Sequence, residues 1–325
     1  MSNTIKRKVE LYRVEILNKY NEPYTDYTIL QDFFEDFFTD YSINTMKTGY
    51  IVNSNKKCWV ALANKNSIGD YDTLEVKLTY SKFNKKLKVI KVKDRTVIGG
   101  KSLDEGDEEK QHFIVKFFPK SNYALIVFEK ILDSVSISFI KKTLNNYLKD
   151  IFIKSEKYNN KIKNRDLRFN IDPIISSDFI ECISNLNGIK LLKTTVTKES
   201  VDDDLRFSGK CSRDEVDLTI KAENKLLMQK NQVITYCNKF INDGVIKDKR
   251  IIRIVIAGMN DNNNPVRLDT DGMKLSESIN IDLDLNNTID TNDIFNKFNS
   301  LLLSKEEELE KFFNVTLKEI ALEQE

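Results

Sequence analysis

Residues 74–80 are Leu74-Glu75-Val76-Lys77-Leu78-Thr79-Tyr80, a strict alternation of apolar with charged or polar side chains. A period of two places successive side chains on opposite faces of a β-strand, so the stretch predicts a strand with one buried and one solvated face. Strands of this kind are typical of antiparallel sheets, because parallel sheets are covered on both faces. We therefore expect an antiparallel sheet in the first half of the chain.

Further strands and two helices are predicted around this stretch. The apolar side chains of 29–38 recur at helical spacing, which indicates an amphipathic helix with an aromatic face. A second amphipathic helix is predicted from about Ser134, and the acidic stretch 99–109 is predicted to be a solvated loop. The other predicted strands of this half are 9–17, 49–53, 58–63, 86–93, 112–118 and 123–129.

The second half repeats this mixture of strands and helices. Residues 154–168 are basic and rich in Asn and lack apolar periodicity, which is typical of a linker. Strands are predicted at 167–171, 189–197, 216–222 and 250–257, and helices near 177–186, at 223–241 and from Asp290 or Thr291 onward. Because the elements do not follow a strict βαβ order, we expect the α+β class with largely antiparallel sheets. The predicted domains are 1–153 and 169–325, joined by the basic linker 154–168.

Charge and hydropathy limit the possible functions. The chain has 325 residues with 51 Lys+Arg against 50 Asp+Glu, a net charge of +1, so no global field attracts a polyanion. Any contact with nucleic acid must come from a local basic patch. No segment has the roughly 18 uninterrupted apolar residues of a membrane helix, and the first residues are polar and basic. We therefore predict a cytoplasmic protein that is neither secreted nor membrane-spanning.

The sequence contains little that indicates catalysis. The four cysteines lie far apart, and His112 is the one histidine, so zinc binding is not expected. Cys58, Cys182 and Cys237 fall in apolar segments and are interpreted as reduced core thiols, while His112 is interpreted as a strand-edge residue. Glycine-rich nucleotide loops, G-x-S-x-G and H-E-x-x-H are absent. We predict a non-enzymatic protein with no cofactor and no metal.

One motif leaves an enzymatic alternative open. Asp217 is followed by Glu223-Asn224-Lys225, which resembles the D…E-x-K arrangement of metal nucleases. In such a site, paired carboxylates bind Mg²⁺ and the lysine polarises the attacked phosphate or water. Glu223 also suits the first turn of a helix, where a negative charge interacts favourably with the macrodipole. The alternative is a magnesium-dependent nuclease of a defence system that uses Asp217, Glu223 and Lys225.

Positive charge is concentrated in three clusters, each of which could bind phosphates. No helix-turn-helix accompanies them, so such binding would depend on backbone and shape rather than on base sequence. A protein-binding sensor that does not contact nucleic acid is a further alternative, which the nearly neutral chain favours. The clusters are Lys82, Lys85, Lys86, Lys88, Lys91, Lys93 and Arg95; Lys154, Lys157, Lys161, Lys163, Arg165 and Arg168; and Lys210, Arg213, Lys221, Lys225 and Lys230.

Three stretches of the second half carry a resemblance to a known family. They are Phe169-Asn-Ile-Asp-Pro173, Asp214-Glu-Val-Asp-Leu-Thr-Ile-Lys221 and Arg253-Ile-Val-Ile-Ala-Gly-Met-Asn-Asp261. In their order along the chain they resemble the phage-exclusion family of RexA from lambda-type phages. The first half has strands in comparable places, including 49–55 and 124–128.

The resemblance implies a homodimer that binds double-stranded DNA with little sequence preference and is similar to the recombination-associated protein RdgC. It also implies a role in superinfection exclusion or abortive infection, with a membrane ion-channel partner of the RexB type. Lys221, Lys225 and Lys230 match its phosphate contacts best, and the family's basic strand that follows is represented here by Arg253. Together with the charge clusters, the predicted DNA-binding residues are Lys161, Lys163, Arg165, Lys210, Arg213, Lys221, Lys225, Lys230 and Arg253.

Overall fold

The secondary structure mixes helices with mostly antiparallel strands, so the predicted α+β class is confirmed. The structure is a computed structural model of the chain, and it describes residues 4–18, 20, 22–24, 26, 28–38, 49–68, 71–83, 87–118, 121–150, 152–159, 162, 166–176, 178–197, 215–223, 227–243, 245–246, 249–284, 288–305 and 309. No helix within these residues is both long and apolar enough to cross a membrane.

The strands are β1 (Thr4–Leu17), β2 (Tyr50–Asn53), β3 (Lys56–Ile68), β4 (Tyr71–Lys82), β5 (Leu87–Ile90), β6 (Val97–Lys101), β7 (Asp107–Phe117), β8 (Tyr123–Lys130), β9 (Arg168–Pro173), β10 (Gly188–Thr197), β11 (Glu215–Lys221), β12 (Val245–Ile246), β13 (Lys249–Met259), β14 (Pro265–Asp269) and β15 (Ser276–Asp282). The α-helices are α1 (Thr28–Asp36), α2 (Ile137–Asp150), α3 (Glu156–Asn159), α4 (Asp178–Ser184), α5 (Lys230–Asp243) and α6 (Thr291–Ser304), and a 3-10 helix spans Phe152–Lys154.

The chain forms two compact units. The first comprises Met1–Ile171 and Glu277–Leu302, and the second comprises Asp172–Ser276 and Leu303–Glu325. This division differs from the predicted one, in which 169–325 formed an uninterrupted second domain. The reason is that strand β15 pairs with β1 in the sheet of the first unit, and helix α6 follows β15 into the same unit.

The first unit is built on a sheet of eight described strands in the order β15-β1-β8-β7-β4-β3-β2, with β9 also paired to β1. The alternation in β4 is confirmed on one face, where Leu74, Val76, Leu78 and Tyr80 are buried. They belong to a core that includes the aromatic side chains of α1 and the apolar stripe of α2. The apolar period of each element therefore matches the face that it buries.

The other face of this sheet is less solvated than its sequence predicts. Glu75 lies on that face of β4 and is only 4% exposed. The side-chain amide of Asn299, in helix α6, donates a hydrogen bond to Glu75 at 3.4 Å. Helix α6, more than two hundred residues away in sequence, thus covers part of this second face of the first sheet. The alternation within β4 contains no sign of that contact.

Strands β5 and β6 form a two-stranded hairpin outside the main sheet. Leu87 pairs with Lys101 and Ile90 pairs with Val97 in antiparallel register. The predicted loop at 99–109 was therefore wrong in part, because β6 extends to Lys101 and β7 begins at Asp107. Every residue from 88 to 100 is exposed.

The second unit contains a five-stranded sheet in the order β11-β10-β13-β12, with β14 paired to β13. Ile189, Ile254 and Ile256 form a core with α4 and α5 on one face of this sheet. Helix α5 starts later than predicted because Met228 forms a β-bridge with Ile189 just before it. The ends of the segment Asp172–Ser276 lie together, since the Leu275 N–H donates to the Ile174 carbonyl at 2.7 Å.

Two of the cysteines behave as the sequence predicts. Cys58 and Cys237 are completely buried and unpaired, whereas Cys182 is only partly buried. Burial raises the pKa of the Cys58 and Cys237 thiols to about 12, so both stay protonated at neutral pH. These two thiols therefore serve as small apolar core residues.

Candidate nucleic-acid interface

Three of the nine predicted DNA-binding residues lie in the described part of the chain. Lys221 and Arg253 project from the same face of the second sheet, because Lys221 pairs with Leu191 and Arg253 pairs with Thr195, four residues along β10. Lys230 begins helix α5, which packs on the opposite face. The structure thus places two of the three on one face of the sheet, four residues apart along β10. The other six, Lys161, Lys163, Arg165, Lys210, Arg213 and Lys225, lie outside the described residues.

The face that carries Lys221 and Arg253, here called the polar face, also contains several acidic residues. The Arg253 guanidinium donates from Nε to Asp269 Oδ1 at 2.8 Å, bonds the second oxygen of Asp269 through Nη2, and lies 3.2 Å from Asp271. The hydrogen bond to Asp269 raises the pKa of Arg253, and Arg253 in turn lowers the pKa of Asp269. Arg253 is therefore committed to an internal ion pair rather than free for a phosphate.

A second ion pair on the polar face joins strands β10 and β11. Lys193 Nζ lies 2.7 Å from Asp217 Oδ2, and the Thr195 hydroxyl donates to Asp217 Oδ1 at 2.7 Å. These two hydrogen bonds, that of Lys193 first, lower the pKa of Asp217. Lys221 is exposed and has no carboxylate within ion-pair distance among the described residues. Of the predicted contacts on the polar face, Lys221 is the one that remains available.

Lys230 has a local structural partner. Its ammonium group donates a hydrogen bond to the carbonyl oxygen of Ser184, the last residue of α4, at 2.9 Å. Carbonyl groups at the C-terminus of a helix lack intrahelical donors, and a lysine there satisfies one of them. The observed geometry of Lys230 thus joins α5 to the end of α4.

Two of the three residues of the predicted nuclease motif, Asp217 and Glu223, lie in the described part of the chain. Asp217 lies within β11, whereas Glu223 lies two residues beyond its end. Six residues of extended chain span roughly 20 Å at about 3.3 Å per residue, while carboxylates that share a metal ion each approach it to about 2–2.6 Å. Lys225 lies outside the described residues, and the described residues contain no group of three His, Cys, Asp or Glu side chains placed to bind a metal. The arrangement gives no support to a shared magnesium ion.

His112 lies in the middle of the first sheet, so its interpretation as a strand-edge residue was wrong. Its Nδ1 lies 3.0 Å from Glu129 Oε2, which also accepts the His112 backbone N–H at 3.0 Å, and both side chains are fully buried. On the other side, Nε2 lies 3.2 Å from the hydroxyl of Thr291, and the Phe295 ring packs edge-on at 5.5 Å.

A hydroxyl, an imidazole and a carboxylate in series also occur in nucleophilic enzymes. Here the imidazole and the carboxylate have no exposed surface, so a substrate cannot reach them. Thr291 and Phe295 both belong to α6. The series therefore fixes the start of α6 to the sheet.

The hairpin β5–β6 carries four exposed basic residues. Its basic residues Lys88, Lys91, Lys93 and Arg95 are all exposed, and none has a carboxylate within ion-pair distance in that part of the chain. The turn is closed by the Lys91 N–H to the Thr96 carbonyl and by the Arg95 N–H to the Lys91 carbonyl, both at 2.8 Å. This basic cluster is visible in the sequence, but the predicted DNA-binding residues do not include it.

The acidic residues of 104–109, which balance the charge of the hairpin in sequence, follow strand β6 and do not belong to its turn. Asp94 is the one acidic residue of the turn, and its carboxylate accepts the Thr96 N–H at 3.0 Å. Asp107 pairs with Lys101, and Glu109 accepts the Tyr80 hydroxyl at 2.6 Å. Asp107 and Glu109 thus have partners outside the turn of the hairpin. The turn itself, residues 91–96, has more basic than acidic residues.

The described residues thus define an α+β protein with an exposed basic β-hairpin and a partly neutralised polar sheet face. No protein-family model and no curated protein matches this chain.

Proposed function

We propose that this chain is a non-enzymatic protein that binds double-stranded DNA without sequence preference. The observation that carries the proposal is the hairpin β5–β6, on which four cations are exposed and lack carboxylate partners among the described residues. Neutralisation of phosphates by Lys and Arg supplies essentially all of nonspecific DNA affinity. The nearly neutral chain is compatible with this proposal, because the charge is local.

The shape of the hairpin supports a duplex as the ligand. The major groove of DNA is about 12 Å wide and admits a two-stranded β-ribbon. In β5–β6 the two strands are joined by the short turn of residues 91–96, so a narrow ribbon end with Lys91, Lys93 and Arg95 is presented. Contacts from lysine and arginine to phosphates position a protein but carry no sequence information. This is the basis for proposing binding without sequence preference.

The biological setting of the proposal is phage exclusion. It rests on the resemblance of residues 169–173, 214–221 and 253–261 to the RexA family. We propose accordingly a cytoplasmic defence protein that acts in superinfection exclusion or abortive infection and signals to a membrane effector. Lys221 is proposed as a second phosphate contact because it is exposed and without an ion-pair partner in the described structure.

The test uses the double variant Lys91→Glu/Lys93→Glu. Lys142→Glu/Lys149→Glu on the exposed side of α2 is the matched control, since it changes the net charge by the same amount. Fluorescence anisotropy with two unrelated duplexes at several salt concentrations should give equal affinities for both sequences. In the hairpin variant, the slope of log affinity against log salt should decrease by about 1.8, or about 0.9 for each lost phosphate contact.

Two outcomes would contradict the proposal. One is a hairpin variant that binds both duplexes as the wild type does. The other is an equal loss of affinity in the hairpin variant and in the α2 control, because only net charge would then matter. Lys221→Glu, measured in the same assay, reports on the second contact.

A protein-binding sensor is a second candidate, and the apolar side chains of the hairpin favour it. Val92 is 93% exposed and Ile98 is 57% exposed, which is unusual for two aliphatic residues of one hairpin. A partner protein that packs on them should be lost in Val92→Ser/Ile98→Ser, whereas the affinity for DNA should be retained. Pull-down from phage-infected cells with this variant and with the wild type distinguishes the two functions.

A further inference from the structure

Strand β11 is the end strand of the second sheet among the described strands. Leu218 and Ile220 point to the face that carries the core, because they pair with Thr194 and Leu192 of β10. They remain 42% and 59% exposed. Edge strands with exposed apolar side chains are rare in monomeric proteins, because they pair readily with other chains. The edge of β11 thus has both the backbone and the side chains of an interface.

The direction of the backbone groups in β11 identifies the residues that are available for pairing. The Ala222 N–H donates to the Lys190 carbonyl of β10 at 2.9 Å. Successive residues of a strand direct their backbone groups to opposite sides. The backbone groups of Leu218 and Ile220 therefore face β10, and those of Asp217 and Thr219 face outward. No described strand pairs with the outward groups.

The sequence of β11 is complementary to itself in antiparallel order. With a twofold axis at Leu218, this residue faces its own copy and Val216 faces Ile220, so both pairs are apolar on the core face. On the other face Asp217 meets Thr219. Aliphatic pairs across strands stabilise a sheet.

The neighbouring register is less favourable. With the axis at Thr219, Leu218 would face Ile220 and Asp217 would face Lys221, but Val216 would lie opposite Ala222, which follows the end of the strand. An aliphatic partner of Val216 would then be lost, and aliphatic pairs stabilise a sheet. A shift by one residue would place apolar residues opposite polar ones on the wrong face. The register centred on Leu218 is therefore the one that the strand favours.

We propose that a second copy of this chain pairs with β11 antiparallel about Leu218, so that the two five-stranded sheets join into one continuous sheet. The contact is isologous, with the same strand on both sides, as a closed twofold dimer requires. It covers the outward backbone groups of Asp217 and Thr219 and the exposed side chains of Leu218 and Ile220. No residue of the hairpin belongs to this surface, so a failure of the dimer would leave the proposed DNA contact of the hairpin untouched.

Single cysteines test the register. In Leu218→Cys the two introduced side chains face each other as a non-hydrogen-bonded pair with about 4.5 Å between Cα atoms, within disulfide reach. Ile220→Cys is the matched control, since it is more exposed but its copy would lie roughly 13 Å away, four residues along the strand. Under mild oxidation without DNA, a non-reducing gel should show a dimer for Leu218→Cys and monomer for Ile220→Cys and the wild type. Equal cross-linking of both variants, or of neither, would overturn the proposal.

A proline tests the backbone pairing independently. Thr219→Pro removes an N–H that faces outward, and edge strands tolerate proline where the N–H faces solvent. Thr219→Ala keeps the N–H and is the control. Light scattering after gel filtration at tens of micromolar should give the mass of a monomer for Thr219→Pro and of a dimer for Thr219→Ala and the wild type. A wild type that is monomeric, or a proline variant that remains dimeric, contradicts the interface.

Discussion

At the scale of single residues, Glu129 shows how the first unit carries charge inside its sheet. Its carboxylate lies 3.1 Å from Arg7 Nε and accepts the backbone N–H of His112, and it has no exposed surface. A buried carboxylate is tolerated only when it is paired and hydrogen-bonded. Removing it leaves the partly buried Arg7 guanidinium without its partner and the His112 backbone N–H without its acceptor.

We therefore expect Glu129→Ala to lower the free energy of unfolding by about 3–5 kcal/mol, the usual cost of breaking a buried ion pair. Glu108→Ala is the control, because Glu108 lies on the same strand as His112 and is exposed. Urea unfolding at pH 7 measures both. If both variants unfold at the same urea concentration, Glu129 does not hold the network together.

The ion pair of Asp269 with Arg253 predicts a dependence on pH. The pKa of Asp269 is lower in the folded protein than in the unfolded chain. Its contribution to stability is therefore complete above about pH 4, the usual range of an unfolded Asp, and declines as the pH falls through the lowered pKa. Urea midpoints at pH 6 and pH 3 should differ less for Asp269→Asn than for the wild type. An equal pH dependence in both proteins would mean that this pair does not stabilise the fold.

At the scale of elements, the hairpin β5–β6 differs from the strands of the main sheet core because its residues 88–100 are all exposed. A two-stranded hairpin is at best marginally stable by itself in water. Val97 and Ile98 are more than half exposed, so no core contact offsets this weakness. The hairpin is therefore better explained as a contact surface than as a part of the scaffold.

Replacing residues 89–99 by Asn-Gly tests this view, because Lys88 and Gly100 already face each other across the ladder and Asn-Gly forms a favoured two-residue turn. We expect the free energy of unfolding to change by less than about 1 kcal/mol, since exposed positions contribute little. Affinity for duplex DNA should fall, because Lys91, Lys93 and Arg95 are removed together. A large loss of stability would assign the hairpin a structural role instead.

The elements that could be predicted are those whose period matches a buried face. The alternation of β4 and the aromatic stripe of α1 are local signals, and both elements form where the pattern indicates. The hairpin was only half predicted, because Gly99-Gly100 and the acidic residues after it are typical of a loop. In the structure the glycines lie in β6, where the partner strand supplies the hydrogen bonds.

The candidate site was less predictable than the elements, for a physical reason. A cluster of lysines is visible in sequence, but its ion pairs depend on which strands become neighbours. Arg253 is neutralised by Asp269 because β14 turns back along β13, and Asp217 meets Lys193 because β11 pairs with β10. His112 likewise became central because β7 lies between β4 and β8. Strand order is a long-range property, and a period of two contains no information about it.

At the scale of the whole molecule, the near-zero net charge conceals an uneven distribution. The 51 basic and 50 acidic residues almost cancel, yet the hairpin retains a basic excess while the polar face pairs its cations with aspartates. The field that a polyanion meets is therefore set by the ion pairs that the fold forms and not by the composition. A protein that binds a polyanion through a local basic patch loses affinity for it steeply as the salt concentration increases.

The return of the chain to its first unit also bears on how the two units are connected. Residues 172–276 leave that unit and come back to it, and Ile174 and Leu275 meet through one hydrogen bond. A segment whose two ends touch can be spliced into a surface turn of a host fold without stretching it, which is why such sites accept whole inserted domains. Residues 172–276 are thus connected to the first unit in the manner of an inserted domain, with both ends of the segment at one place.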